Sequence, residues 1–200
     1  MNQLLLANAS VVNEGQVVEQ DILIIGDRIA RLGSGAVPAG AEVIDLKGQH
    51  VLPGIIDDQV HFREPGLTHK ADIESESRAA IAGGVTSYFD MPNNTPPCVD
   101  RAGLVSKKAI AAGKSFANYG FYLGATNTNL DEIKAATADD ACGIKVFMGA
   151  STGDMLVDDP KVLEILDLEP AIVELEEAVV AATGDVDILG KEGHQLSAVA

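Results

Sequence analysis

The chain has 200 residues, 46% of them hydrophobic and 4% aromatic with no Trp, enough aliphatic material to bury a core in one or two globular domains. Its formal net charge of -16 at pH 7 argues against nucleic acid and anionic membrane surfaces as partners, and an anionic substrate would need local cations to hold it. No apolar run approaches a membrane span, and the start, MNQLLLANAS, lacks a basic region followed by a long apolar segment, so the cytoplasm is the expected location.

Residues 1–50 read as a small β-sandwich or meander. LLLANASVVN, DILIIGDRIARLGS with a turn at Gly26 and Asp27, and AEVIDLKGQHVLPG with a turn at Lys47 and Gly48 give strands rich in Ile, Val and Leu. No catalytic cluster stands out in this part, and His50 is expected as a partly exposed strand residue. Cys98 and Cys142 stand far apart with no CxxC spacing, so free thiols are expected.

From residue 51 the pattern changes to strand and helix in alternation. The pivotal stretch is VLPGIIDDQVHFREPG: it begins as an apolar strand, and alternation would put Asp57, Gln59 and His61 on one face. Such a strand delivers polar groups to its carboxyl end, where ligands sit in parallel α/β folds. ADIESESRAAIAG reads as a helix stopped by Gly83 and Gly84, VTSYFDMPN as a strand, and DRAGLVSKKAIAAG as a helix capped by Asp100. SFANYGFYLGAT, LDEIKAATADD and GIKVFMGAS continue the alternation as strand, helix and strand. Single helices between strands imply parallel pairing, and no GxGxxG follows the first strand, so an incomplete TIM-type (β/α) barrel is preferred to a doubly wound sheet. The barrel part is expected over 51–159. Residues 160–200 are expected as a helical tail, with PAIVELEEAVVAATG as an amphipathic helix.

Three strand ends carry candidate site residues. Arg63 has a guanidinium able to grip a carboxylate through two parallel hydrogen bonds, although a surface pair with Glu64 would also account for it. Asn93 offers an amide donor and acceptor in a Pro-bounded loop, and a plain turn role would also suit it. Lys145 lies inside an apolar strand, where an ammonium must find a partner, lose its proton, be modified or snorkel out at the sheet edge.

Together, PGIIDDQVHFREPGLTHKADI, GGVTSYFDMPNNTPP and GIKVFMGASTG resemble dihydroorotase, a cyclic amidohydrolase of the amidohydrolase superfamily, with hydantoinase and allantoinase as relatives. The resemblance implies a TIM-type barrel with a small β-sandwich, one or two zinc ions at the barrel mouth, and reversible closure of carbamoyl aspartate to dihydroorotate in pyrimidine biosynthesis. It implies His61 as the second histidine of a metal-binding HxH, Arg63 as the arginine holding the substrate carboxylate, and Asn93 as the asparagine beside it. Lys145 resembles the lysine that relatives carboxylate to bridge two metals, which would make it both metal ligand and catalytic group. Such a pair of ions would lower the pKa of a bridging water and polarise the amide carbonyl.

Two departures accompany the match. Gln59 occupies the position of the first HxH histidine, and a neutral amide oxygen is a poor zinc ligand beside imidazole. Asp58 has the wrong parity to replace it. Setting aside about fifty residues of sandwich leaves about 150 where a complete barrel takes roughly 250. The chain alone is therefore expected to be inactive, either as part of a zinc-dependent hydrolase or as a non-catalytic homologue acting as a binding or assembly partner. An exposed sheet edge then favours a homo-oligomer or pairing with a complementary half. His69 and His194 are expected as solvent-exposed residues.

Overall fold

The computed structural model describes residues 2–148, 155–168 and 196–198, which fall into two compact units, Met1–Ile55 with Ala182–Ala200 and Ile56–Ala181. The first unit is one mixed sheet of β1 (Gln3–Asn13), β2 (Gln16–Ile25), β3 (Arg28–Leu32), β4 (Glu42–Asp45), β5 (His50–Pro53) and β10 (Leu196–Ala198). Glu14 and Gly15, both at positive φ (49° and 71°), make the two-residue turn between β1 and β2. The sequence hides this hairpin, because residues 16–19 are exposed and mixed in character. The turn at Gly26 and Asp27 joins β2 to β3 as expected.

The expected hairpin around Lys47 and Gly48 is corrected. Both β4 and β5 run parallel to β1, β4 along Leu4–Ala7 and β5 along Ser10 and Val11. An irregularity between Leu6 and Ala9, with Asn8 at φ 56°, divides β1 into two segments, and the 47–48 turn carries the chain from one to the other. The Gly48 N–H donates to the Asn8 carbonyl (2.8 Å) and the Leu46 N–H to that of Ala7 (2.9 Å), fixing the step. Among the described residues this unit is one mixed sheet, against the expected small sandwich or meander. Its core is Leu6, Ala9, Val11, Ile22, Leu46 and Val51. His50 is exposed, as expected.

The tail is also corrected: a helix is present over Pro160–Leu168, but β10 pairs antiparallel with β5 and belongs to the first unit. PAIVELEEAVVAATG and His194 lie outside the described residues.

The second unit is a four-stranded sheet in sequence order, β6 (Ile55–Val60), β7 (Val85–Asp90), β8 (Asn118–Gly124) and β9 (Gly143–Lys145). β7, β8 and β9 pair parallel. Helices α1 (Ile73–Ala82), α2 (Arg101–Ala112), α3 (Leu130–Ala135) and α4 (Pro160–Leu168) alternate with and follow these strands. Asp72 caps α1 in a reciprocal box with Ser75, and Asp100 caps α2 by accepting the Gly103 N–H (2.6 Å). α3 is shorter than expected because Thr137 gives both its N–H and its hydroxyl to Asp140 (3.0 and 2.9 Å), a local bond set that competes with helix. Among the described residues no helix is long and apolar enough to cross a membrane.

One face of this sheet packs on the helices through Tyr88, Phe121, Leu123, Leu104 and Ile133, with Val60, Phe62, Ile144 and Val146 joining the same cluster. Alternation therefore turns Gln59 and His61 on one side, and Lys145 on the other, toward the opposite face. On that face the Tyr122 hydroxyl of β8 donates to the Asp58 carbonyl of β6 (3.1 Å). In a flat sheet those strands would stand about 9.6 Å apart, so the sheet curls toward this face as a barrel wall does.

Candidate functional site

His61 is the first residue beyond β6, and its Nδ1 lies 2.8 Å from Oδ1 of Asn93 in the loop after β7. An amide oxygen only accepts, so a proton on Nδ1 is what this contact calls for. Arg63 follows at φ 68°, a left-handed conformation that costs a non-glycine residue about 1–3 kcal/mol. Its guanidinium is half-buried and has no hydrogen bond or ion pair among the described residues.

Glu64 is not its partner. That carboxylate is buried, accepts the Ile73 N–H at 3.1 Å and pairs with Lys114 at 2.5 Å. The hydrogen bond to Glu64 raises the pKa of Lys114 above its ordinary value. The surface-pair explanation of Arg63 therefore fails, and the guanidinium stays available.

What holds this rim together is a buried polar network that the sequence reading passed over. Asp90, at the end of β7, is 0% exposed and Lys107 of α2 is 1% exposed, their charged atoms 2.7 Å apart. The same ammonium donates to the Met91 carbonyl (3.0 Å) and to Oδ1 of Asn94 (2.8 Å), which uses all three of its protons. Asp90 also accepts the Phe62 N–H (2.9 Å), while the Asn94 amide donates to the Glu64 carbonyl (3.1 Å). A signal existed: Leu104, Lys107 and Ala111 form the buried stripe of α2, so a lysine occupies an apolar position and needs a buried anion. Gly66 completes the join. At φ 84° it lies so close to the second loop that a Cβ would sit 1.8 Å from the Thr95 carbonyl oxygen.

Lys145 differs from expectation. It is half-buried rather than enclosed, and its Nζ lies 5.3 Å from the centroid of the Phe147 ring, at cation–π distance. The physical reason is the open inner face at a three-residue strand. Gln59 is exposed, with its N–H donating to Asp57 (3.1 Å). Cys98 and Cys142 are free, and burial pushes their thiols up to about 11 and about 12.

The structure thus brings His61, Asn93 and Arg63 to one rim. It places Lys145 on the same face but three strand spacings away, roughly 14 Å along a flat sheet. As a metal centre this set falls short: no group of three His, Cys, Asp or Glu residues among the described residues could hold an ion. It offers one imidazole lone pair, one neutral amide and one ammonium, fewer than the three or four donors that zinc takes. What the rim presents is a guanidinium without a partner among the described residues and a neighbouring amide, the groups that suit a planar anion.

No protein-family model matches the chain. It is 37% identical over 149 residues to an allantoinase of Deinococcus radiodurans, covering 74% of this chain and 33% of that protein. It is 44% identical over 114 residues to a dihydroorotase of Pelobacter propionicus, covering 56% and 26%. In structure it is similar to an L-hydantoinase (dihydropyrimidinase) from Arthrobacter aurescens, with TM-score 0.76, 29% identity, and coverage of 83% of this chain and 38% of that one. The chain spans between about a quarter and a third of the length of these curated relatives.

Proposed function

Over its matched part the chain is a homologue of the cyclic amidohydrolases named dihydroorotase, allantoinase and hydantoinase, and on that premise we propose that it forms the carboxylate-gripping part of a dihydroorotase-type site. The observation that carries this reading is the unpaired Arg63 guanidinium beside the His61–Asn93 contact at one end of the parallel sheet. In it, Arg63 takes the carboxylate of dihydroorotate or carbamoyl aspartate as a bidentate pair, and Asn93 donates its amide to the same substrate. Rim cations and amides supply the local attraction that a chain of net charge -16 otherwise lacks. If zinc were bound, His61 and a carboxylated Lys145 would be the groups of this chain to hold it, the curl of the sheet would have to bring them to one site, and the remaining ligands would come from the strands that complete the barrel.

Activity requires the remaining barrel strands, supplied by a longer parent or a second chain. The test is to co-produce the 200 residues with the carboxyl-terminal two thirds of a homologous dihydroorotase, then measure bound zinc and dihydroorotate hydrolysis. Stoichiometric zinc and turnover, both lost on His61→Ala, are expected. A metal-free, inactive assembly under zinc-replete conditions contradicts the reading and leaves a non-catalytic homologue.

A second reading has its own support. The allantoinase of Deinococcus radiodurans matches over a larger share of the chain than the dihydroorotase does. An allantoin- or hydantoin-type ring lacks the carboxylate, so Arg63→Met separates the two. It abolishes binding of dihydroorotate if the first reading holds and leaves hydantoin binding unchanged.

A further inference from the structure

We propose that Lys107 is a positioning residue for this rim: through Asp90 and Asn94 its buried ammonium locks the loop after β6 to the loop after β7, and this lock selects the Nδ1–H tautomer of His61.

The residues of the two loops alternate between anchor and display. Phe62 is anchored through its N–H on Asp90, and Glu64 through its carbonyl on the Asn94 amide. The residues between and beside them, His61 and Arg63, are the half-buried ones turned away from the network. In the second loop Asn94 is anchored on Lys107, which leaves Asn93 to meet His61. One cation therefore touches the strand end that fixes Phe62 and the amide that fixes Glu64. Two backbone bonds also join the loops, Met91 N–H to the Val60 carbonyl (2.9 Å), in the peptide that leads into His61, and Thr95 N–H to that of Pro65 (3.3 Å), and the Lys107 network spans the 62–64 stretch between them.

All three ammonium protons are spent and the Phe121 ring lies 4.7 Å from Nζ, so the hub has one arrangement in which every buried polar group is satisfied. Held there, Asn93 presents its oxygen to Nδ1, and the imidazole offers Nε2 as a bare donor atom. The service this renders to amide chemistry rests on the proposed function, whereas the positioning does not.

The test is side-chain nitrogen NMR of His61 in the 200-residue chain, at a pH where the ring is neutral. In the wild type the Nδ1–H form should exceed the Nε2–H form at least tenfold. Asn94→Ala removes the bridge but keeps the Lys107–Asp90 pair, and should lower that ratio tenfold or more. Lys107→Met with Asp90→Asn should do the same without stranding a buried charge. Asn93→Ala gives the ratio without the acceptor, and Lys108→Met, on the neighbouring lysine that reaches the Asp139 carbonyl, should change nothing.

A wild-type chain in the Nε2–H form overturns the proposal. So does a folded Asn94→Ala or double variant that keeps the wild-type ratio. If the double variant does not fold, Asn94→Ala decides alone. Titration with dihydroorotate is the separate arm: a tautomer shift in the variants with no ligand binding in the wild type discards the dihydroorotase reading and leaves the positioning role standing.

Discussion

The β6–β7 rim and the β9 end of the same sheet each carry a lysine inside apolar sequence, and they solve the problem in opposite ways. At the rim, Lys107 is enclosed with Asp90, Asn94 and a carbonyl, and through them Phe62 and Glu64 of the loop after β6 are held by hydrogen bonds. At β9, Lys145 rests half-buried over Phe147 on a strand of three residues. The difference teaches where this chain has invested its order. The rim that carries His61, Arg63 and Asn93 is preorganised by its own buried network, and the Lys145 side is the more open of the two.

The largest expected effect lies at the rim. Lys107→Met leaves Asp90 buried and unpaired, and should cost about 3–5 kcal/mol in urea unfolding. The double change with Asp90→Asn should recover most of that, since no charge is stranded. If the single variant is as stable as the wild type, the contrast between the two lysines collapses. Next comes Gly66→Ala, where a left-handed backbone and the Thr95 carbonyl both resist a side chain. A loss of roughly 2 kcal/mol is expected from the backbone strain alone. Tyr122→Phe removes the hydroxyl that ties β8 to β6 and should cost about 1 kcal/mol. Lys145→Met is the smallest, roughly 0.5–1 kcal/mol for a half-buried cation–π contact.

The pH dependence sharpens the same picture. Burial raises Tyr88 and Tyr122 to about 12, Cys98 to about 11 and Cys142 to about 12. For each of these acids the unfolded chain loses its proton first, so it binds fewer protons than the native state and stability falls with rising pH. Lys114, whose pKa is raised by Glu64, adds to the same limb: its contribution is whole below the unfolded pKa and is lost as pH climbs through the folded one. Asp45, Asp72 and Asp140 are lowered from 3.8 by hydrogen bonds to Asn8, Ser75 and Thr137 respectively, so their contribution is lost as pH falls below that value. The urea midpoint should therefore hold between about pH 4 and pH 9 and drop on both sides. Tyr122→Phe should flatten the alkaline drop.

Much of the second unit was legible in the sequence because its helices are written with their stops and caps. Asp72, Gly83, Asp100 and Gly113 mark ends that local chemistry enforces. The alternation from Asp57 to His61 likewise fixed a common face, since Val60 and Phe62 can only sit among apolar partners. The path of β1 was not legible. Two parallel partners along one bent strand depend on pairings between residues 4–11 and 42–51 that no local pattern encodes. The burial of Lys107 went unread, and Lys145 proved more open than its apolar neighbours suggest, for a related reason. Sequence neighbours made Lys145 look enclosed, whereas enclosure depends on what covers each face, and it is α2 on the sheet that buries Lys107. His61, Arg63 and Asn93 could be singled out by residue type and spacing, but the network that sets their separation is made of contacts 13 to 30 residues apart in the chain.

The most direct test of the central claim is a titration of the isotopically labelled chain with dihydroorotate, followed at the side-chain signals of Arg63 and Asn93. Saturable shifts at both, absent in Arg63→Met, are the predicted result. Saturation that survives Arg63→Met, or no shift at either side chain at any ligand concentration, contradicts a carboxylate grip at this rim.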